Sequence, residues 1–490
     1  MNSLPFEMFF RSVDYNPLAM NAKQYENDLH ACEKIEFSVE VLSPEDPVFE
    51  PGNRPTVSEA IRGLIGEFGG EQVPFAAMAL PQHKDVAEQN LYACLFGRDS
   101  LLIADLLSNR YPGLQLSAVK ALGQVQGRVY DDFFEEEPGR IAHEVRDLND
   151  PRGKEITALA GWKFPYYGSV DATLIWLRTA SQLISKEPKL KDLIIDGLPL
   201  GKRAELSAEW ILRRLDSETG FIESRRTRPQ GILNQVWKDS GDSYQDASGK
   251  VALSEGTASV ETVAETFDAL MAASNIADLC NWSYSPETFS STAANIRNRF
   301  LEKFFMDGFP AMGIQQLGLV TWKLDAKTSN QGRLLDSGLL LVGEHAELRA
   351  NIAEAMVSDK MLGPNGVRTL GSDQPGYRPG GYHTGSSWPV DSAFVARGLT
   401  RAGFLEHAME VAKRTRKAIE EIGGYPEMFR SDGRGQDSIS RYVVDVSGSQ
   451  IPGLNRVCQP PQLVQGWTVA AYSWLTTGPL SQLGYPNQVS

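Results

Sequence analysis

Cysteine is scarce. The chain has 490 residues and only Cys32, Cys94, Cys280 and Cys458. They lie far apart, with no CxxC pair and no Cys/His zinc spacing, so neither a disulfide framework nor a zinc site is expected. Calcium-type ligand spacing is missing too, and no metal or cofactor is called for. No stretch approaches the ~18 uninterrupted apolar residues of a membrane span. The opening "MNSLPFEMFFRSVDYN" lacks the basic start and continuous apolar core of a signal peptide, so the expected compartment is the cytoplasm. Basic charge is in short supply, with 48 Lys and Arg against 62 Asp and Glu and a net charge of −14. That argues against nucleic acid and anionic membrane as partners, because both demand concentrated cations. A neutral saccharide is compatible with it. The oligomeric state is left open.

The chain does have an ordinary globular profile, 42% hydrophobic and 22% charged. Its length suggests about three domains unless a closed barrel or toroid holds it as one. Residues 1–90 differ from the rest. "VEVLSPEDPVFEPGNRP" reads as an irregular, extended lead-in. "TVSEAIRGLIGEF" follows, with a capping box from Thr56 to Glu59 and an apolar face of Ile61, Leu64, Ile65 and Phe68.

From about Arg98 onward the period is helical. Ser285 and Pro286 open one helix, whose apolar set includes Phe289, Ile296, Phe300 and Phe304. Another places Leu405, Ala408, Met409, Ala412, Ile419 and Ile422 on one side and stops at Gly423-Gly424. Similar patterns cover 99–108, 114–129, 172–186, 204–215, 260–279, 345–357, 391–402 and 462–476. Between them run polar-aromatic connections near 131–171, 220–256, 306–340, 361–390 and 425–460. Connections longer than ~12–15 residues are usually functional or disordered. Their tryptophans, tyrosines and isolated charges speak against disorder. The pattern is therefore a set of antiparallel helix pairs whose long connections gather at one end.

Those connections contain "LFGRDS" (95–100), "GRIAHEVRD" (139–147), "PYYGSVDAT" (165–173), "NQVWKDSGDS" (234–243), "GYHTGSSWPVD" (381–391) and "GGYPEMF" (423–429). Each joins a charged or imidazole group to aromatics or glycine. Aromatic faces stack on sugar rings, while carboxylates, Arg and His bond the hydroxyls. Each stretch alone has a plainer reading. Arg98 and Asp99 could form a helix-start ion pair. His143 or His383 could be structural, Trp237 or Trp388 could be core, and Glu144 with Arg146 could merely pin a loop. The case rests on their recurrence.

In order along residues 90–476, "LFGRDSLLIADLL", "PGRIAHEVR", "YYGSVDATLIWL", "NQVWKDSGDS", "YHTGSSWPVDSAFVARGL", "YPEMF" and "CQPPQLVQGW" resemble the motif series of the amylo-α-1,6-glucosidase family, among the six-hairpin glycosidases. The resemblance implies an all-α fold: an (α/α)6 toroid of six helical hairpins over 91–480, a short irregular extension over 1–90 and a tail at 481–490. It also implies inverting hydrolysis of an α-glucosidic bond, α-1,6 favoured, in oligosaccharides or dextrin branch stubs. Another small glycoside, such as a mannoside, glucosylglycerate or sucrose, is the alternative, as is a catalytically inactive carbohydrate binder. Val390 departs from a histidine common in the family.

Inversion needs one protonated carboxyl and one ionised carboxylate facing each other across the sugar. The resemblance matches Asp239 to the general acid, with Trp237 as an apolar wall. Asp242, three residues on, is the rival acid or a hydroxyl ligand. Glu427, presented after Gly423-Gly424 and Pro426, is the candidate base. Lys238 is expected to face a hydroxyl or another carboxylate. Arg98, Asp99, Tyr167, Asp171, His383, Trp388 and Asp391 are the expected sugar contacts.

Overall fold

The computed structural model describes residues 55–78, 92–147, 149–252, 256–341, 345–439, 442–445, 456–459, 461–478 and 480. Most of the expected 1–90 extension, the 481–490 tail and Cys32 lie outside them. Among the described residues, twelve helices build the frame: α1 Val57–Leu64, α2 Gly97–Leu106, α3 Gly113–Gln124, α4 Asp171–Lys186, α5 Leu200–Arg214, α6 Val260–Ser274, α7 Pro286–Lys303, α8 Ser329–Arg333, α9 Ala346–Val357, α10 Pro389–Arg401, α11 Leu405–Ile422 and α12 Gly466–Thr477.

The even-numbered helices touch one another in turn, α2 to α4, α4 to α6, α6 to α8, α8 to α10 and α10 to α12. The last then touches the first, α12 to α2. Each odd-numbered helix packs outside a neighbour: α3 on α2, α5 on α4, α7 on α6, α9 on α8, α11 on α10 and α1 on α12. A closed cycle of inner helices with outer partners is what a toroid of six hairpins requires. The burial pattern gives the physical reason for the two layers. In α2, nine of the ten residues are buried, all but Asp105. All of Gly466–Leu475 in α12 is buried too. Helices wrapped on all sides by other elements belong in an inner layer. By contrast α11 buries one stripe, Ala408, Val411, Ala412, Thr415, Ala418, Ile419 and Ile422. Leu405, expected on that stripe, is exposed.

Two sequence expectations need correction here, the end of the first helix and the connection read over 306–340. The Thr56–Glu59 capping box forms, with Glu59 N–H on Thr56 Oγ1 at 3.3 Å and Thr56 N–H on Glu59 Oε2 at 2.8 Å. Its helix nevertheless ends at Leu64, and Ile65 and Phe68 enter a strand paired with Glu71–Pro74. The left-handed Gly69 and Gly70 make that turn. Ser285 stands at the N-cap of α7, and its side chain makes no capping bond. The connection read over 306–340 hides α8, together with strands Gly313–Leu317 and Val320–Leu324. These pair antiparallel with each other, and the first also with Thr257–Ser259.

Because the chain alternates inner and outer helices, the inner helices all run the same way and their N-termini share one end. Short strand pairings tie the loops there. Leu95–Phe96 pairs with Glu144–Val145, and Glu144 bridges to Tyr166. Ser387 bridges to both Arg368 and Phe429, and Tyr425 to Val464. The glycine of "LFGRDS" serves this junction. A Cβ on Gly97 would lie 2.2 Å from the Ala142 carbonyl oxygen, so only glycine lets the two loops meet.

Candidate active site

Each inner helix from α2 to α10 brings a polar side chain to the shared end within its first turn. Arg98 and Asp99 come from α2, Asp171 from α4, Glu261 from α6, Asn330 from α8 and Asp391 from α10. Carboxylates gain there from the positive end of the helix dipole. Arg98 joins the first two helices, with Nη1 3.1 Å from Asp171 Oδ2 and Nε 3.4 Å from Asp99 Oδ2. Ser169 Oγ donates to Asp171 Oδ1 at 2.6 Å.

Asp239 faces this group. Burial pushes its pKa up to about 7; the Arg98 charge opposes the rise, and Asp99 and Asp171 add to it. Its side chain keeps 32% of its surface open, so the carboxyl is hemmed in by protein yet reachable. Asp99 is also raised, to about 6, again through burial first. His383 Nδ1 lies 3.9 Å from Asp239 Oδ1.

Glu427 is only 1% exposed. Tyr382 Oη donates to its Oε1 at 2.7 Å, and the Gln462 backbone N–H donates to its Oε2 at 3.0 Å. Both oxygens thus act as acceptors, as an ionised carboxylate does. Tyr382 and His383 are consecutive, with ring centroids 4.4 Å apart. One dipeptide therefore touches both carboxyl groups. Trp388 stacks on His383 at 5.4 Å, and Trp237 meets both rings edge-on at 5.4 and 5.8 Å. The result is an aromatic wall beside two dissimilar carboxyls.

Residues 199–438 match the family model of the mannosylglycerate hydrolase MGH1-like glycoside hydrolase domain. A solved mannosylglycerate hydrolase from Thermus thermophilus, in complex with Tris and D-glycerate, aligns with TM-score 0.54 at 15% identity. It covers 86% of this chain and 98% of its own. Structures described as a glycosidase, one wild type and one a point variant, align with TM-score 0.52 at 16% and 15% identity, covering 94% of this chain and 99% of theirs. No curated protein matches the sequence. The fold is that of the six-hairpin glycosidases. The matched family model is of the mannosylglycerate hydrolase type and not specifically of the amylo-α-1,6-glucosidases.

On this scaffold the expected site residues divide. Arg98, Asp99, Asp171, Trp237, Asp239, His383 and Trp388 come together. Glu427 joins them through Tyr382, and Asp242 lies half-buried three residues beyond Asp239. The other three expected residues, Lys238, Asp391 and Tyr167, are buried. Lys238 has no exposed surface, and its Nζ donates to the Thr369 carbonyl at 2.7 Å. Burial lowers its pKa to about 8, against the pull of Asp391 and Glu261. It supports the Asp239 loop from behind, bonded to a backbone carbonyl and set by charge against the Asp391 and Glu261 carboxylates. Asp391 is equally buried, and its charge is set against Lys238. Tyr167 is buried and spends its hydroxyl on the Val125 carbonyl at 2.8 Å.

Glu144 and Arg146 pair with each other, and Arg146 Nη1 also reaches Asp150 Oδ2 at 3.0 Å. His143 is buried edge-on to Phe96 and Tyr166 at 5.5 and 6.1 Å. Sequence reasoning missed Tyr382, although it stands beside His383 in the "GYHTGSSW" stretch. A tyrosine in an aromatic loop carries no sign of which carboxylate it will hold. Among the described residues no group of three His, Cys, Asp or Glu is placed to hold a metal ion, Cys94 and Cys280 are free thiols, and no helix is long and apolar enough to cross a membrane.

Proposed function

We propose that the chain is an inverting glycoside hydrolase in which Asp239 is the general acid and Glu427 the general base. The supporting observation is the dipeptide Tyr382-His383, which contacts Glu427 through one side chain and stands beside Asp239 with the other. Inversion calls for carboxyls about 6.5–9.5 Å apart with water between them. It also calls for unequal proton affinities. Asp239, raised to about 7, suits the group that protonates the departing glycosidic oxygen. Glu427, bonded at both oxygens by donors, suits the group that takes a proton from water as that water attacks the anomeric carbon. Between them the Trp237 and Trp388 rings would border the sugar, and Arg98, Asp99 and Asp171 would meet its hydroxyls. Asp242 would serve as a hydroxyl ligand.

Two substrate classes are compatible with this chemistry. The motif series points to α-glucosides, α-1,6-linked ones first, in short oligosaccharides or dextrin stubs. The family match over 199–438 points to a small glycoside such as mannosylglycerate or glucosylglycerate. The purified chain should be offered isomaltose, panose, maltose, trehalose, sucrose, glucosylglycerate, mannosylglycerate and limit dextrin, with proton NMR within minutes of mixing. We expect one class to be hydrolysed and the released sugar to carry the opposite anomeric configuration. Retention at that carbon would rule out the water-between geometry. Saccharide binding without release of sugar would reduce the protein to a binder.

A further inference from the structure

The two serines of "WKDSGDS" have no part in the chemistry above, yet both are buried and both reach His383. Ser240 Oγ lies 2.9 Å from His383 Nδ1 and 2.7 Å from Ser243 Oγ, and Ser243 Oγ is 3.4 Å from the same nitrogen. The Ser240 backbone N–H also points at Nδ1, at 3.5 Å. An amide N–H can only donate, so this contact fits a lone pair on Nδ1, with the ring hydrogen on Nε2. The Ser240 hydroxyl then donates to Nδ1 as well and accepts from Ser243. Asn234 Nδ2 holds the Ser240 carbonyl at 2.8 Å.

Burial and the neighbouring cations agree with a neutral imidazole. Trp388, Trp237 and Tyr382 surround it. Burial lowers its proton affinity first, and the Lys238 and Arg98 charges lower it further. Asp239, 3.9 Å away, is the group facing it that would favour an imidazolium. We infer that Ser240, backed by Ser243, is a positioning residue that locks His383 as the neutral Nε2–H tautomer. The lock keeps a cation away from Asp239, which has to retain its proton. The second half of the inference rests on Asp239 being the general acid; the tautomer itself does not.

The test uses the full chain labelled with 15N-histidine and read by solid-state NMR, with His383→Phe supplying the assignment. The parent should show one neutral, Nε2-protonated pattern for His383 from pH 5 to 8. Ser240→Ala should bring Nδ1 protonation into that range. It should also lower the alkaline limb of kcat/KM by about one pH unit, the effect of a cation newly placed near a carboxyl. Ser240→Thr, which restores the hydroxyl, should return both readouts. An imidazolium or Nδ1–H ring in the parent at pH 7 would overturn the inference without any variant having to fold. So would a His383 pattern unchanged in Ser240→Ala. A parent with the expected ring pattern that hydrolyses no glycoside would instead count against the proposed function and leave the tautomer lock standing.

Discussion

Asp239 feels opposed influences. Burial, Asp99 and Asp171 hold its proton on, while Arg98 pulls it off. In the proposed role, a balance near pH 7 would let one side chain lend a proton and recover it. Asp239→Asn and Glu427→Gln keep shape and remove proton transfer. Each should lower kcat by roughly 10²–10⁴ with far smaller changes in saccharide affinity, measured by steady-state kinetics and calorimetry. In the parent, activity should fall as pH rises through about 7, because the acid must be protonated. A flat profile up to about pH 9 would exclude Asp239 from that role. Motif order alone made Asp239 and Glu427 legible as candidates. The same reasoning left open whether Lys238 would face a hydroxyl or a carboxylate, because a lysine beside an acid gives no sign of which way its chain turns. Burial against the Thr369 carbonyl decided it.

At the scale of elements, punctuation was more legible than packing. The Gly423 stop of α11 is a left-handed C-cap, φ 69°, and it launches the loop that carries Glu427. A Cβ in that conformation costs about 1 kcal/mol or more. Gly423→Ala should therefore lower stability to urea by about that amount and reduce activity further by moving the base loop. Wild-type stability in that variant would mean the cap is not holding the loop. Sequence reading overlooked helices inside the long connections, Pro151–Ala160 and Gly338–Leu341 among them, and α8, which has five residues, "SNQGR". That is too few for a 3.6-residue period to declare itself, and its apolar continuation Leu334–Asp336 is a 3₁₀ turn. Ile65 and Phe68 were misassigned because helix spacing and the two faces of a short strand overlap in so brief a run.

The closed ring gathers charge inside it, and this links the site to the stability of the whole molecule. Farther along the inner helices from the site, Arg397 of α10 bonds Asp105 of α2 at 2.9 Å and Asp336 after α8 at 2.6 Å, tying α10 to α2 and to the turn that follows α8. Burial would raise Asp105, but Arg397 and Arg178 outweigh it and hold the group below its ordinary value. Its contribution is present above the unfolded carboxylate range of about 4 and is lost as pH falls through the lower folded value. Asp99 and Asp239 act in the opposite sense. Raised to about 6 and about 7, they bind protons in the folded state that the unfolded chain has already released. Stability is therefore lost as pH climbs from about 4 through those two values. Thermal melting of the parent should peak on the acid side of neutrality and decline toward about pH 8. In Asp239→Asn the decline should be shallower, and the melting temperature at the alkaline end higher than the parent's, even though turnover should be lowered. Equal slopes in the two proteins would mean that Asp239 meets water as freely in the native state as in the unfolded chain, and its raised proton affinity would lose its cause.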